Sequence, residues 1–159
     1  MDGRAGRNRN FREDIAASVS DALPMKIKLN SIFVDDQDKG LRFYTDVLGF
    51  RKKQDFPIGG ARWITVVSAE GPDDLELVLE PNSHPAASAY QSALRKDGIP
   101  VTAFESADIR SEVQRLKEKG VVFTIEPTVA GTVTIAIFSD TCGNLIQIYQ
   151  HITPNTAAQ

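Results

Sequence analysis

The 159-residue chain is 42% hydrophobic and 25% charged, with a net charge of -3 and a pI near 5.4. That balance suits one compact domain, or two small modules sharing a core, and excludes a general nucleic-acid binder, which needs a basic surface. No apolar run reaches bilayer-spanning length, and the lone cysteine, Cys142, permits no intrachain disulfide, which points to a reducing cytoplasm.

Residues 1–24 differ in composition from the rest. Arg4, Arg7, Arg9 and Arg12 stand among Gly and Asn, then Ile15, Val19 and Leu23 recur before Pro24. This reads as a solvated extension with one short helical stretch, and without the apolar centre of a secretory signal. The folded domain is expected to start at Met25 and to run over residues 25–152, with a tail at 153–159.

Residues 27–34 alternate between two faces, which predicts a strand. Asp36 then caps a predicted helix whose Leu41, Tyr44, Val47 and Leu48 form one apolar stripe. Gly49 supplies the left-handed residue that ends it, and Phe50 resumes extended chain. Three strands are expected at 50–56, 61–69 and 75–80, parted by Pro57-Ile-Gly-Gly60 and Glu70-Gly-Pro-Asp-Asp74, both of which are turn chemistry. This is a βαβββ unit.

A connector over 82–98 holds a short helix around Ala89, Tyr90, Ala93 and Leu94, and the pattern then starts again. A strand is expected at 101–106. Asp108 caps a helix bearing Ile109, Val113 and Leu116, Gly120 ends it, and strands follow at 121–125, 132–139 and 144–151. Leu41 and Tyr44 stand to Asp36 as Val113 and Leu116 stand to Asp108. A repeat of this length implies two equivalent halves, modules 26–81 and 99–151.

Strand alternation divides the side chains. One face is expected to collect Leu29, Ser31, Phe33, Glu76, Val78, Glu80, Thr102, Phe104, Gln147, Tyr149 and His151. The other collects Ile32, Val34, Leu75, Leu77, Leu79, Val101, Ala103, Ile146 and Ile148, and suits a helix packed on a sheet. The first face mixes aromatic walls with a few polar groups, as ligand pockets do. Trp63 either fills the core or stacks on a flat ligand, the core being the expectation, and Arg62 either lies at the surface or pairs with an anion or Glu76. Cys142 has no base nearby and reads as turn packing. Phosphate-loop and dinucleotide signatures are absent.

The paired modules, the helix exit Phe43-Tyr-x-x-x-Leu-Gly-Phe50 and the closing Asp140-Thr-Cys-Gly-Asn-Leu-Ile-Gln-Ile148 together resemble the vicinal oxygen chelate superfamily, which includes glyoxalase I, extradiol dioxygenases and bleomycin-resistance proteins. The resemblance covers roughly residues 26–151. It implies an α+β fold in which two βαβββ modules curl into an eight-stranded cup, usually within a homodimer.

It also implies a divalent metal held by the first and last strand of each module. Those positions fall on Leu29, Glu76, Thr102 and Gln147. Only Glu76 is a good ligand, Gln147 is a weak one, and Leu29 and Thr102 do not serve. His84 and His151 do not restore the set, since His151 sits about 13 Å beyond Gln147 along its strand. A rearranged site of Glu76, Glu80 and His151 has no support in the pattern.

The expectation is therefore a cytoplasmic, homodimeric, metal-free binder of a small molecule, with no cofactor, no nucleic acid and no membrane among its partners. Phe33, Trp63, Glu76, Thr102, Phe104, Gln147 and Tyr149 would contact the ligand. Two alternatives stay open, a lyase or dioxygenase whose degenerate metal site is anchored by Glu76, and a structural or regulatory dimer without ligand. Deleting residues 1–24 is expected to leave the melting temperature nearly unchanged by calorimetry; a large drop would contradict the boundary at Met25.

Overall fold

The computed structural model describes residues 25–152; the expectations for residues 1–24 and 153–159 lie outside them. The first half runs β1 (Leu29–Val34), α1 (Gln37–Arg42), β2 (Arg51–Ile58), β3 (Ala61–Val67) and β4 (Glu76–Pro81). After α2 (Pro85–Lys96) come β5 (Thr102–Glu105), α3 (Ile109–Glu118), β6 (Phe123–Ala130), β7 (Val133–Ser139) and β8 (Leu145–His151). Each half is a four-stranded mixed sheet, ordered β1-β4-β3-β2 and β5-β8-β7-β6. The first strand of each pairs in parallel with the last. Among the described residues no helix is long and apolar enough to cross a membrane.

The caps form as their chemistry dictates. The Asp36 carboxylate accepts from Lys39 N–H at 2.8 Å, and Asp108 accepts from Ser111 N–H at 3.1 Å, satisfying donors that the first helical turn leaves over. Gly49 ends the first helical segment at φ 86°. Beyond Arg42 the helix widens for one turn, with Leu48 N–H donating to Phe43 C=O at 3.0 Å, five residues back.

Two strands depart from expectation. β2 continues through Pro57, and β6 begins at Phe123 rather than 121 and runs through Pro127 to Ala130. Both are outermost in their sheets and both shift register at bulges. An edge strand tolerates a residue without an N–H, so proline is no stop there.

The helix-facing sides of both modules merge into one core, including Ile32, Val34, Ile64 and Leu79 from the first and Ile109, Phe138, Ile146 and Ile148 from the second. Tyr44, fully buried, crosses between them. Its hydroxyl donates to Asp140 at 3.0 Å, and burial first, then Asp140, pushes its pKa well up. Asp140, also fully buried, accepts from the backbone N–H groups of Cys142 and Asn144, each at 2.8 Å, and from Asn144 Nδ2 at 2.6 Å.

Asn144 Nδ2 reaches on to Phe33 C=O at 2.8 Å. Gln91 Nε2 from α2 faces the Cys142 carbonyl and Asn144 Oδ1, each at 2.9 Å, and Phe33 C=O at 3.0 Å. The first helix and the second module's last turn thus meet at one carboxylate, and Asn144 links that turn on to β1 and the connector helix. The turn itself needs Gly143, because at φ 103° a Cβ there would lie 2.8 Å from Gln91 side-chain atoms.

Tyr44→Phe removes a bond to a buried charge and is expected to cost about 1.5–3 kcal/mol. Gly143→Ala is expected to cost roughly 1–2 kcal/mol from backbone conformation alone, with displacement of Gln91 added. Urea denaturation measures both. A loss below about 0.5 kcal/mol in either, the level of an ordinary surface change, would contradict this role for the turn.

Candidate functional site

Register decides which side chains share a face. In the first sheet Leu29 stands opposite Glu76, Ser31 opposite Val78 and Phe33 opposite Glu80. Val78 stands opposite Thr65 in β3, Thr65 opposite Gln54 in β2, and Trp63 opposite Phe56. Side chains directly opposite one another project to the same side, so all of these lie away from α1. The expected grouping in the first module is what forms.

The second module corrects part of it. Thr102 stands opposite Ile146 and Phe104 opposite Ile148, while Ala103 and Glu105 stand opposite Gln147 and Tyr149. Thr102 and Phe104 therefore share the core-side face, and Phe104 packs against the core with Phe50 edge-on at 5.2 Å. The error was one residue of register, which flips a whole strand. Ala103 and Glu105 stand to Asp108 as Ser31 and Phe33 stand to Asp36, so parity counted from the two capping aspartates does transfer, and Thr102 falls one residue off it. The partner of Leu29 in the second module is Ala103, another side chain with no electron pair to donate.

The pieces around Glu76 form a closed set. Its Oε1 meets Lys53 Nζ at 2.8 Å. Its Oε2 accepts from Thr65 Oγ1 at 2.6 Å and Gln54 Nε2 at 2.8 Å. Lys53 turns to this side because it sits at the β2 bulge. The ammonium first, then Thr65 and Gln54, hold the Glu76 carboxyl below its ordinary 4.5 against the opposing effect of burial. Arg62 does not pair with Glu76. It lies on the helix side, forked onto Asp55 at 2.9 and 2.7 Å and reaching Asp38.

Trp63 is half-buried and outside the core cluster, so the core-filling expectation is corrected. With Leu29, Phe56, Ile58, Gln54 and Glu76 it lines an open depression of about 510 Å³. Phe33 and Glu80 lie farther along the same face. In the second module Gln147 and Tyr149 are half-buried on the corresponding face, and the Tyr149 ring meets His151 edge-on at 5.5 Å. His84 is occupied elsewhere, its Nδ1 accepting from Ala86 N–H as the cap of α2.

Lys53, Gln54, Thr65, Phe56 and Ile58 were missed in the sequence. Period-two alternation through β3 pointed to Thr65. The bulge at Lys53 left no such signal, since it breaks the period. Cys142 is fully buried, and burial foremost pushes its thiol up to about 12, so it is no nucleophile.

A divalent metal does not fit these residues. Leu29 and Ala103 offer no electron pair, Gln147 offers one amide oxygen, and the one carboxylate already faces an ammonium that an incoming cation would have to displace. Among the described residues no three His, Cys, Asp or Glu side chains converge, so the rearranged set of Glu76, Glu80 and His151 does not assemble either.

Two βαβββ modules with this helix exit and this closing turn define a glyoxalase-like fold. The chain belongs to the Glyoxalase/Bleomycin resistance protein/Dioxygenase superfamily, which matches residues 26–148. It is 61% identical over 126 residues to the uncharacterized protein YurT of Bacillus subtilis (strain 168), spanning 79% of this chain and 99% of that one.

Among solved structures it resembles UcmS2, with a TM-score of 0.70 and 30% identity, covering 80% of this chain and 98% of that one. It also resembles TnmS3, an antibiotic binding protein from Streptomyces sp. CB03234, with a TM-score of 0.68 and 26% identity, covering 82% of this chain and 99% of that one.

Because the folded-state pKa of Glu76 lies below the unfolded value, its contribution to stability is complete above that unfolded value and disappears as pH falls through the folded one. Glu76→Gln is therefore expected to be less stable than the parent at pH 7, with the gap closing as pH falls below the ordinary glutamate value of 4.5 and through the lowered folded-state one. Urea midpoints across that range test it; a gap independent of pH would contradict the Lys53–Glu76 pairing.

Proposed function

We propose that this chain is a metal-independent, small-molecule-binding protein of the glyoxalase/bleomycin-resistance type, acting in the cytoplasm as a homodimer. The observation that carries the reading is the depression of about 510 Å³ lined by Trp63, Phe56 and Leu29 beside a carboxylate already neutralised by Lys53. Such a surface offers apolar walls and a few fixed polar groups, without the donors that metal-assisted chemistry requires.

A flat ring system stacks on Trp63, with Glu76 and its amide neighbour Gln54 supplying direction. Phe33, Gln147 and Tyr149 complete the walls and polar contacts, and Glu80 favours a ligand with a donor or positive group near Phe33. Thr102 and Phe104 are left out because they face the core side. The similarity to an antibiotic binding protein supports a ligand of natural-product size.

A second copy supplies the opposite wall of the cup. Leu29, Phe56 and Ile58 are 50%, 45% and 53% exposed on this one side, a cluster that a partner or ligand is needed to cover.

Trp63 is the sole tryptophan, so its fluorescence reports on this face alone. Chelator-treated protein titrated with a panel of planar aromatic antibiotics is expected to show saturable quenching by at least one. Glu76→Gln is expected to weaken that binding about tenfold, the equivalent of 1.4 kcal/mol. Quenching that appears only after zinc, nickel or manganese is added would favour a metal-dependent lyase or dioxygenase. No quenching by any compound would favour a dimer without ligand.

A further inference from the structure

β1 and β5 are each the outermost strand at one end of their sheets, and neither carries a further strand. They adjoin a common cavity of about 390 Å³, lined by Asn30 and Ser31 from one side and Thr102 and Phe104 from the other, with Phe50 and Leu77 among its walls. A second cavity of about 190 Å³ shares Ser31 and continues to Tyr90 and Asn144. This seam runs along the two strand edges and takes residues from both faces, Asn30, Leu77, Thr102 and Phe104 from the core side and Ser31, Glu76 and Ala103 from the other, while Trp63 and Gln147 are not among its lining. The larger space is within the range that small-molecule sites occupy.

The backbone of β1 says what kind of molecule fits. Glu76 N–H donates to Lys28 C=O at 2.8 Å, and Asn82 N–H donates to Val34 C=O at 3.0 Å. In a parallel ladder alternate residues bond to the same neighbour, so Lys28, Asn30, Ile32 and Val34 turn towards β4. Leu29, Ser31 and Phe33 turn their N–H and C=O groups outward. The outward carbonyl of Phe33 is met by Gln91 and Asn144, at 3.0 and 2.8 Å. The Ser31 N–H and C=O meet no hydrogen-bonding group among the described residues.

One residue showing both groups to the same side makes two hydrogen bonds with its opposite number in an antiparallel pair. A cis-amide, as in a lactam ring, presents the same donor and acceptor side by side. The flanking walls mix Phe50, Phe104 and Leu77 with the polar side chains of Asn30, Ser68 and Thr102. Glu76, the only charged residue of the lining, has its carboxylate paired with Lys53, so the seam favours an uncharged molecule.

We propose that the seam between β1 and β5 is a second ligand site, for a flat, uncharged ring compound whose lactam edge pairs with the Ser31 N–H and C=O. The ring lies against Phe50 and Phe104, which meet edge to face. Thr102 borders the ring and limits its width. Glu76 borders both this cavity and the Trp63 depression, but Trp63 lines only the latter, so this site survives if the Trp63 face binds nothing.

Isothermal titration of the full chain with 2-quinolinone, and with its N-methyl derivative, tests the proposal. The lactam is expected to bind saturably, and the N-methyl compound about tenfold more weakly for want of its donor. Ser31→Pro removes only an outward N–H from an edge strand, which that position tolerates, and is expected to weaken the lactam to the same degree. Thr102→Phe fills the cavity and is expected to abolish binding, and it decides the matter if Ser31→Pro fails to fold by circular dichroism. Trp63→Ala is expected to leave the affinity unchanged. Equal affinity for both probes, or no heat from the lactam at millimolar concentration, would overturn the proposal. So would binding lost in Trp63→Ala and kept in Thr102→Phe, which would place the probe on the other face.

Discussion

A single buried carboxylate fixes the geometry of this molecule. Asp140 holds the Tyr44 hydroxyl of the first module and folds the turn that opens β8 in the second. Asn144 and Gln91 extend the contact to the edge of β1 and to the connector helix. A charge taken fully out of water is tolerated only when its lone pairs are filled, and here four donors fill them. Because the partners come from elements far apart in the chain, the node sets how the modules sit together. The seam between β1 and β5, which draws residues from both modules, inherits its shape from it.

On that frame the functional character follows from one local pairing. Within this family's architecture the same four positions can hold a cation, and what stands there decides the chemistry. Here an aliphatic side chain and a methyl group occupy two of them. The one carboxylate, Glu76, is held by an ammonium, a hydroxyl and an amide of its own sheet. Lys53 supplies the positive charge that a metal would otherwise bring, and it does so without open coordination positions. What remains beside it is an open surface made of the half-buried Trp63 ring and the apolar side chains of Leu29, Phe56 and Ile58.

Much of the fold was legible because helix caps, apolar stripes and glycine stops repeat in the two halves with nearly the same spacing. Asp36, Gly49, Asp108 and Gly120 punctuate both modules. The faces of β1 and β4 were legible too, since uninterrupted alternation carries its own parity. β5 carries the same parity, since Ala103 and Glu105 stand to Asp108 as Ser31 and Phe33 stand to Asp36, and placing Thr102 and Phe104 on the outward face was a slip of one residue in that count. β2 and β6 ran past their prolines because being an edge strand is a property of the sheet, which local sequence does not display. Lys53 was hidden for a related reason. A bulge breaks alternation at the very residue it re-aims, so the group that neutralises Glu76 emerges only when β2, β3 and β4 are laid side by side.

The claim that this site replaces a metal with a lysine is tested most directly by elemental analysis of protein purified without added metals or chelators. Far less than one divalent ion per chain is the predicted result, unchanged in Glu76→Ala. Close to one ion per chain, lost when Glu76 is replaced, would contradict the account.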